Sequence, residues 1–101
     1  MSDTQTAEFV VVRPDVDLVA SNLEPFRQLL ADLVRQGKVH LAIDLSKVGI
    51  IDSKGLAVFL MCHKSVNAAG GRLVVLTSDA DFKHLFHVMR MDEHFTVTAS
   101  L

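Results

Sequence analysis

A hydroxyl set between a carboxylate and an ammonium, with a glycine two residues on, marks Asp52-Ser53-Lys54-Gly55-Leu56 as the segment where chemistry could be done. The residues before it, Ile43-Asp44-Leu45 and then Ser46 to Asp52, read as a strand end and a loop; those after it read as a helix. Ser53 is expected at the N-cap of that helix, with its hydroxyl near the free amides of Gly55 and Leu56. A cap of this kind contributes about 0.5–2 kcal/mol and needs no further function. No Glu or Gln stands three residues on, so a capping box is excluded. Gly55 in a first helical turn costs about 1 kcal/mol against Ala, so something needs the space beside Ser53, a close-approaching protein surface being one candidate.

Other reactive side chains are less well placed. His84 and His87 are three apart, His94 follows, and Cys62-His63 lies elsewhere, but no CxxC or HxxxH spacing converges them on a metal. Asp44 and Asp52 flank one loop, yet no His is positioned to complete a triad and no glycine-rich phosphate loop is present. The expectation is a chain that is not an enzyme and carries neither metal nor cofactor.

The elements that must position Ser53 follow from periodicity. Phe9-Val10-Val11-Val12 is a β-branched run closed by Arg13-Pro14-Asp15, a strand and a turn. Leu23, Phe26, Leu30, Leu33 and Val34 recur at helical spacing, with Ser21 expected as N-cap, Pro25 in the first turn and Gly37 just past the C-terminus. Val39, Leu41, Ile43 and Leu45 alternate with His40, Ala42 and Asp44 as in a strand. The second helix runs from about Ser53 to Ala69 and ends at Gly70-Gly71; Leu73-Val74-Val75-Leu76 then reads as a buried central strand. Ser78 is expected to cap a third helix with Phe82, Leu85, Phe86 and Met89 on its inner face, and Phe95-Thr96-Val97-Thr98 forms a last short strand. Strands alternating with helices predict an α/β fold, a mainly parallel sheet of four to five strands with right-handed crossovers and helices packed on it. Residues 1–101 make a single domain, in which 1–7 are expected to be flexible or to add a short extra strand.

The second helix is apolar on two sides. Leu56, Phe59, Leu60, His63 and Val66 can face the sheet, while Ala57, Val58, Met61, Cys62 and Ser65 form a weaker second stripe. That stripe is either a partner or dimer surface beside Ser53, or is covered by a neighbouring helix.

Composition narrows the function further. Half of the residues are hydrophobic and 22% charged, enough for a packed core; the formal net charge is −2, with no run of Lys or Arg and few aromatics to stack bases, which argues against nucleic acid. Cys62 is the only cysteine, so no internal disulfide can form and a reducing cytosol is the expected home. The polar start Met1 to Thr6 does not read as a signal peptide, and runs such as Leu56 to Cys62 are too short to span a bilayer. A soluble cytoplasmic protein without direct membrane insertion is expected.

With these residues in view, Ile43-Asp44-Leu45, Val48 and Asp52-Ser53-x-Gly55-Leu56, followed by Gly70-Gly71 and an apolar strand, resemble the STAS domain family. That family includes anti-sigma factor antagonists and the cytosolic tails of sulphate transporters. The resemblance runs from Phe9 to about Val97. It implies a bacterial transcription regulator of the anti-sigma factor antagonist type, whose serine matching Ser53 is phosphorylated by the partner anti-sigma factor, a serine kinase. The unphosphorylated form binds that factor and frees a sigma factor; phosphorylation breaks the complex and a phosphatase restores it. The resemblance further implies a partner surface drawn from Asp17, Asp52, Ser53, Lys54, Gly55, Leu56, Val58 and Met61.

Phosphate at Ser53 would add about −1.5 to −2 charges. The dipole and free amides of a helix N-terminus would tolerate it, so the fold should survive and the outer surface change. The chain departs from the family pattern where Lys54 follows the serine in place of Ser or Thr. It also has Pro14-Asp15-Val16-Asp17 where Gly-x-x-Asp is common, and only a short polar segment before Phe9, which could leave a sheet edge open to homodimer pairing. The alternative is a constitutive interaction subunit, either a scaffold of a stress-signalling complex or the partner of a membrane lipid or anion transporter.

Overall fold

The computed structural model describes residues 9–101; the expectation for residues 1–7 lies outside the described residues. Four strands, β1 (Val10–Val12), β2 (His40–Asp44), β3 (Arg72–Leu76) and β4 (Thr96–Thr98), form one sheet in the order β1-β2-β3-β4, every pair parallel. Between them run α1 (Leu23–Arg35), α2 (Ser53–Ala68) and α3 (Ala80–Val88), with short 3₁₀ turns at Ala20–Asn22 and Met91–Glu93. The predicted β-α-β-α-β-α-β order is the observed one.

Right-handed crossovers that step along a sheet in one direction leave their helices on one face. The pleat directs Val10, Val12, Leu41, Ile43, Leu73, Val75 and Val97 to that face, and all of them belong to or pack on the core. A row of aromatic rings ties the helices together, Phe26 to Phe59 at 6.0 Å, Phe59 to Phe86 at 5.5 Å and Phe86 to Phe95 at 5.9 Å between centroids. The other face carries the row Val11, Ala42, Val74 and Thr96. Ala42 is buried there, whereas His40 and Asp44 on the same side of β2 are half-buried, so that face is covered at the strand's centre only.

Helix ends follow glycine where predicted. Gly37 has φ 81°, with its N–H on Val34 O and that of Lys38 on Leu33 O, a Schellman closure; Gly70 at φ 83° and Gly71 close α2 in the same way on Asn67 O and Val66 O. Gly71 is also a close approach, since a Cβ there would lie 2.1 Å from Val39 O.

The N-caps differ from expectation. The 3₁₀ turn Ala20–Asn22 places Ser21 before α1, whose cap residue is Asn22 with no side-chain capping bond. Asp79, not Ser78, caps α3, its carboxylate accepting from Asp81 N and Phe82 N. An ionised carboxylate is a stronger acceptor than a hydroxyl for amides at the positive end of a helix. Met89, expected on the inner face of α3, is exposed, because the helix closes at Arg90 (φ 60°) and Met91 turns into the core instead.

Candidate functional site

The loop after β2 and the loop after β1 meet beside the N-terminus of α2. Their backbones form a short parallel ladder around the bridge between Leu18 and Ile51. Leu18 N donates to Ile50 O at 2.9 Å, and Asp52 N donates to Leu18 O at 3.2 Å. A carboxylate from each strand closes one end of this ladder. Asp17 Oδ1 accepts from Gly49 N and Ile50 N, both at 3.1 Å. Asp52 Oδ2 accepts from Ala20 N at 3.0 Å. Both loops lie at the carboxyl ends of parallel strands, where open α/β sheets meet ligands and partners.

Asp52 is also the N-cap of α2: its Oδ1 accepts from Gly55 N at 2.8 Å, and its carbonyl accepts from Leu56 N at 3.0 Å. The Gly55 amide, and after it the amides of Ala20 and Lys54, hold the Asp52 carboxyl below the usual carboxylate range. This corrects two expectations. Ser53 is the first helical residue and not the cap, and the Gly55 and Leu56 amides expected to be free beneath it are engaged by Asp52. Ser53 itself is exposed at the very start of the helix, with its hydroxyl committed to no capping bond.

Gly55 has a different reason from the one expected. A Cβ on it would lie 2.3 Å from Leu18 O and 2.9 Å from Ile51 Cγ2. The surface that approaches Gly55 is the chain's own β1–α1 loop, and the glycine lets that loop lie against the first turn of α2.

The expected partner residues therefore separate. Lys54 and Met61 are exposed with Ser53, and Asp17 and Asp52 are half-buried. Gly55, Leu56 and Val58 are buried, so their side chains are not available on the surface. The second apolar stripe of α2 divides in the same way. Val58 and Cys62 are covered by α1 in a cleft lined by Leu30, Ala31 and Val34, whereas Ala57, Met61 and Ser65 remain exposed. Burial pushes the Cys62 thiol up to about 11.

One exposed apolar residue escaped the sequence reading. Ile50 is 57% exposed, three residues before Ser53, while its neighbour Ile51 is buried. The signal was the Ile50-Ile51 pair itself, since adjacent residues in an extended segment point to opposite sides.

Other polar side chains near the sheet and α3 have their own contacts. Asp44 takes the Ser46 amide and the Arg13 guanidinium, each at 2.9 Å, and these contacts, the amide first, keep its carboxyl below its ordinary value. His87 Nδ1 lies 2.9 Å from Asp92 Oδ2, and the rings of His63 and His94 pack at 5.7 Å. Among the described residues no three metal-ligating side chains come together, and no helix is long and apolar enough to cross a membrane.

Comparison with known proteins places this geometry. Residues 1–101 match the family model of the STAS domain. No curated protein matches. Among solved structures, the Thermotoga maritima protein TM1081, described as a candidate anti-sigma factor antagonist, is 21% identical with a TM-score of 0.86, over 93% of this chain and 81% of that one. The anti-sigma factor antagonist SpoIIAA in its unphosphorylated form is 19% identical with a TM-score of 0.73, over 93% and 81%. The Bacillus cell fate determinant SpoIIAA in its phosphorylated form is 20% identical with a TM-score of 0.70, over 89% and 82%. At these identities the likeness to the solved structures is one of fold, and it is the match along its whole length that shows this chain to belong to the STAS domain family.

Proposed function

We propose that this chain is an anti-sigma factor antagonist switched at Ser53: unphosphorylated it binds an anti-sigma factor of the serine kinase type, and phosphorylation of Ser53 by that kinase releases it. One observation carries the reading. Ser53 is exposed at the first position of α2 while the neighbouring Asp52 does the capping, so the hydroxyl is reachable and has no structural duty in the cap. The solved structures of similar fold, one of them phosphorylated, support the same class.

Phosphate on Ser53 adds about −1.5 to −2 charges. It would stand beside the ionised Asp52, whose carboxylate already holds the Gly55 amide of the first turn, and beside the exposed Lys54. The added charge is therefore presented outward, to whatever docks on Ser53, Lys54, Met61 and Ile50. A loss of about 2.7 kcal/mol there weakens binding about a hundredfold. The switch needs no refolding. In this reading the chain is the substrate of the kinase, a phosphatase resets it, and both proteins act in the cytoplasm.

The test is to incubate the chain with ATP and each anti-sigma serine kinase encoded in its source genome, then map any phosphate by mass spectrometry. Phosphate at Ser53, and loss of binding by Ser53→Asp but not Ser53→Ala, is the expected result. A kinase that binds the chain yet leaves Ser53 unmodified overturns the proposal.

A further inference from the structure

We propose that Asp17 is a positioning residue for the Ser53 segment, acting through the backbone of Gly49 and Ile50 and not by contact with a partner. The assignment rests on the phosphoacceptor reading of Ser53. Its polar contacts turn inward: Oδ1 takes both the Gly49 and Ile50 amides, and the Asp17 carbonyl accepts from Asn22 Nδ2 at 3.2 Å. A Cβ on Gly49 would lie only 3.1 Å from Oδ1, so the carboxylate is fitted closely to that stretch of backbone.

The next residue passes this restraint to the helix. Leu18 is fully buried, gives its N–H to Ile50 O and takes the N–H of Asp52, the cap residue that precedes Ser53. Its carbonyl fills the space left by Gly55. Loss of the Asp17 acceptor frees two amides at one end of the ladder, and the other end of that ladder is the start of α2. Ser53 is thus aimed by a carboxylate that does not touch it.

Charge and acceptor can be separated by substitution. Asp17→Asn keeps an Oδ1 acceptor and loses the charge; Asp17→Ala loses both. A residue that holds amides should be rescued by Asn, whereas a residue that meets a cation on the partner should fail equally with either.

The experiment compares the wild-type chain with Asp17→Asn and Asp17→Ala. The first readout is NMR amide hydrogen exchange at Gly49 and Ile50. The second is the rate of Ser53 phosphorylation by the anti-sigma serine kinases of the source genome, each supplied singly with radiolabelled ATP. For Asp17→Ala, exchange at both amides should rise about tenfold and phosphorylation kcat/KM fall about tenfold, the loss of roughly one hydrogen bond's worth of restraint. Asp17→Asn should stay within about threefold of wild type in both. Equal phosphorylation loss in both variants with Gly49 and Ile50 still protected overturns the proposal, as does unchanged exchange in Asp17→Ala. If thermal melts show Asp17→Ala to be unfolded, Asp17→Asn decides: near-wild-type phosphorylation supports the proposal, and a large loss with protected amides overturns it. If no kinase modifies the wild-type chain, the functional reading falls and the exchange contrast alone decides whether Asp17 holds the loop.

Discussion

Gly55→Ala sets two physical effects against each other. Helix propensity favours the change by about 1 kcal/mol. The structure opposes it, because the new methyl would lie 2.3 Å from Leu18 O and 2.9 Å from Ile51 Cγ2. The nearer obstacle is backbone and cannot rotate away, so either α2 or the β1–α1 loop must move. Overpacking of this kind costs about 1–3 kcal/mol. Displacing the Leu18 carbonyl also loosens the bond it accepts from Asp52 N, a net loss of about 1 kcal/mol. The propensity gain offsets about that last amount, which leaves a destabilisation of about 1–3 kcal/mol. For a domain of this size the melting temperature should fall by roughly 5–20 °C. Urea unfolding followed by circular dichroism measures the stability, and NMR shifts report where the strain goes. The shifts should cluster at residues 18–20 and 50–52. Gly37→Ala is the control: its φ of 81° makes Ala cost about 1–2 kcal/mol, but a Cβ there meets nothing within 4 Å and the Ser53 region should not respond. A Gly55→Ala protein as stable as wild type, or more so, would refute the close approach of Leu18.

Further outcomes follow from the same geometry. Ser53→Ala should change stability by no more than about 0.5 kcal/mol in urea unfolding, because the cap belongs to Asp52. Phe59→Ala, which empties the fully buried centre of the aromatic row, should cost about 3–5 kcal/mol by the same assay. Asp52 and Asp44 both have folded carboxyls held below the ordinary value, so their stabilisation is fully present above the unfolded value of about 4 and is lost as pH falls through the lower folded values. Urea midpoints should therefore be flat above about pH 5 and drop below about pH 4, with a shallower drop in Asp52→Asn; an unchanged slope in that variant would contradict the assigned shift. Cys62, at about 11, should resist Ellman's reagent at pH 8 in the native protein and react promptly in urea.

How much of this was legible in sequence depends on the range of the contact responsible. The strands and helices came from local periodicity and are where it placed them, because each element buries one face of its own residues. Gly37 and Gly70 were legible for the same reason, since a helix end needs a positive φ within its own turn. The caps were not. Asp52-Ser53 and Ser78-Asp79 each offer adjacent acceptors, and reading Ser as the cap was wrong both times because the carboxylate takes the amides. Gly55 was recognised as anomalous, but its cause is the carbonyl of Leu18, far away in sequence and adjacent only after β1 and β2 pair. The same distance hid the bonds of Asp17 to Gly49 and Ile50. Periodicity leaves Val58 either on a partner surface or under a neighbouring helix, because nothing local says that α1 lies over it.

The placement of the cap bears directly on what a modification at Ser53 can do. Were Ser53 the cap, its hydroxyl oxygen would hold a first-turn amide, and phosphorylation would alter the helix start together with the surface. With Asp52 as the cap, the amides at the start of α2 are held by a group that no modification of Ser53 removes. That carboxylate also holds Ala20 of the neighbouring loop, so one residue fixes the local backbone while the next is left exposed and free to change. A new charge on Ser53 then meets a first turn whose Gly55 amide is already held by Asp52, and it faces solvent, Lys54 and any docked surface. In the proposed switch, holding the frame and carrying the signal would fall to two neighbouring side chains, the arrangement required if its two states are to share one fold.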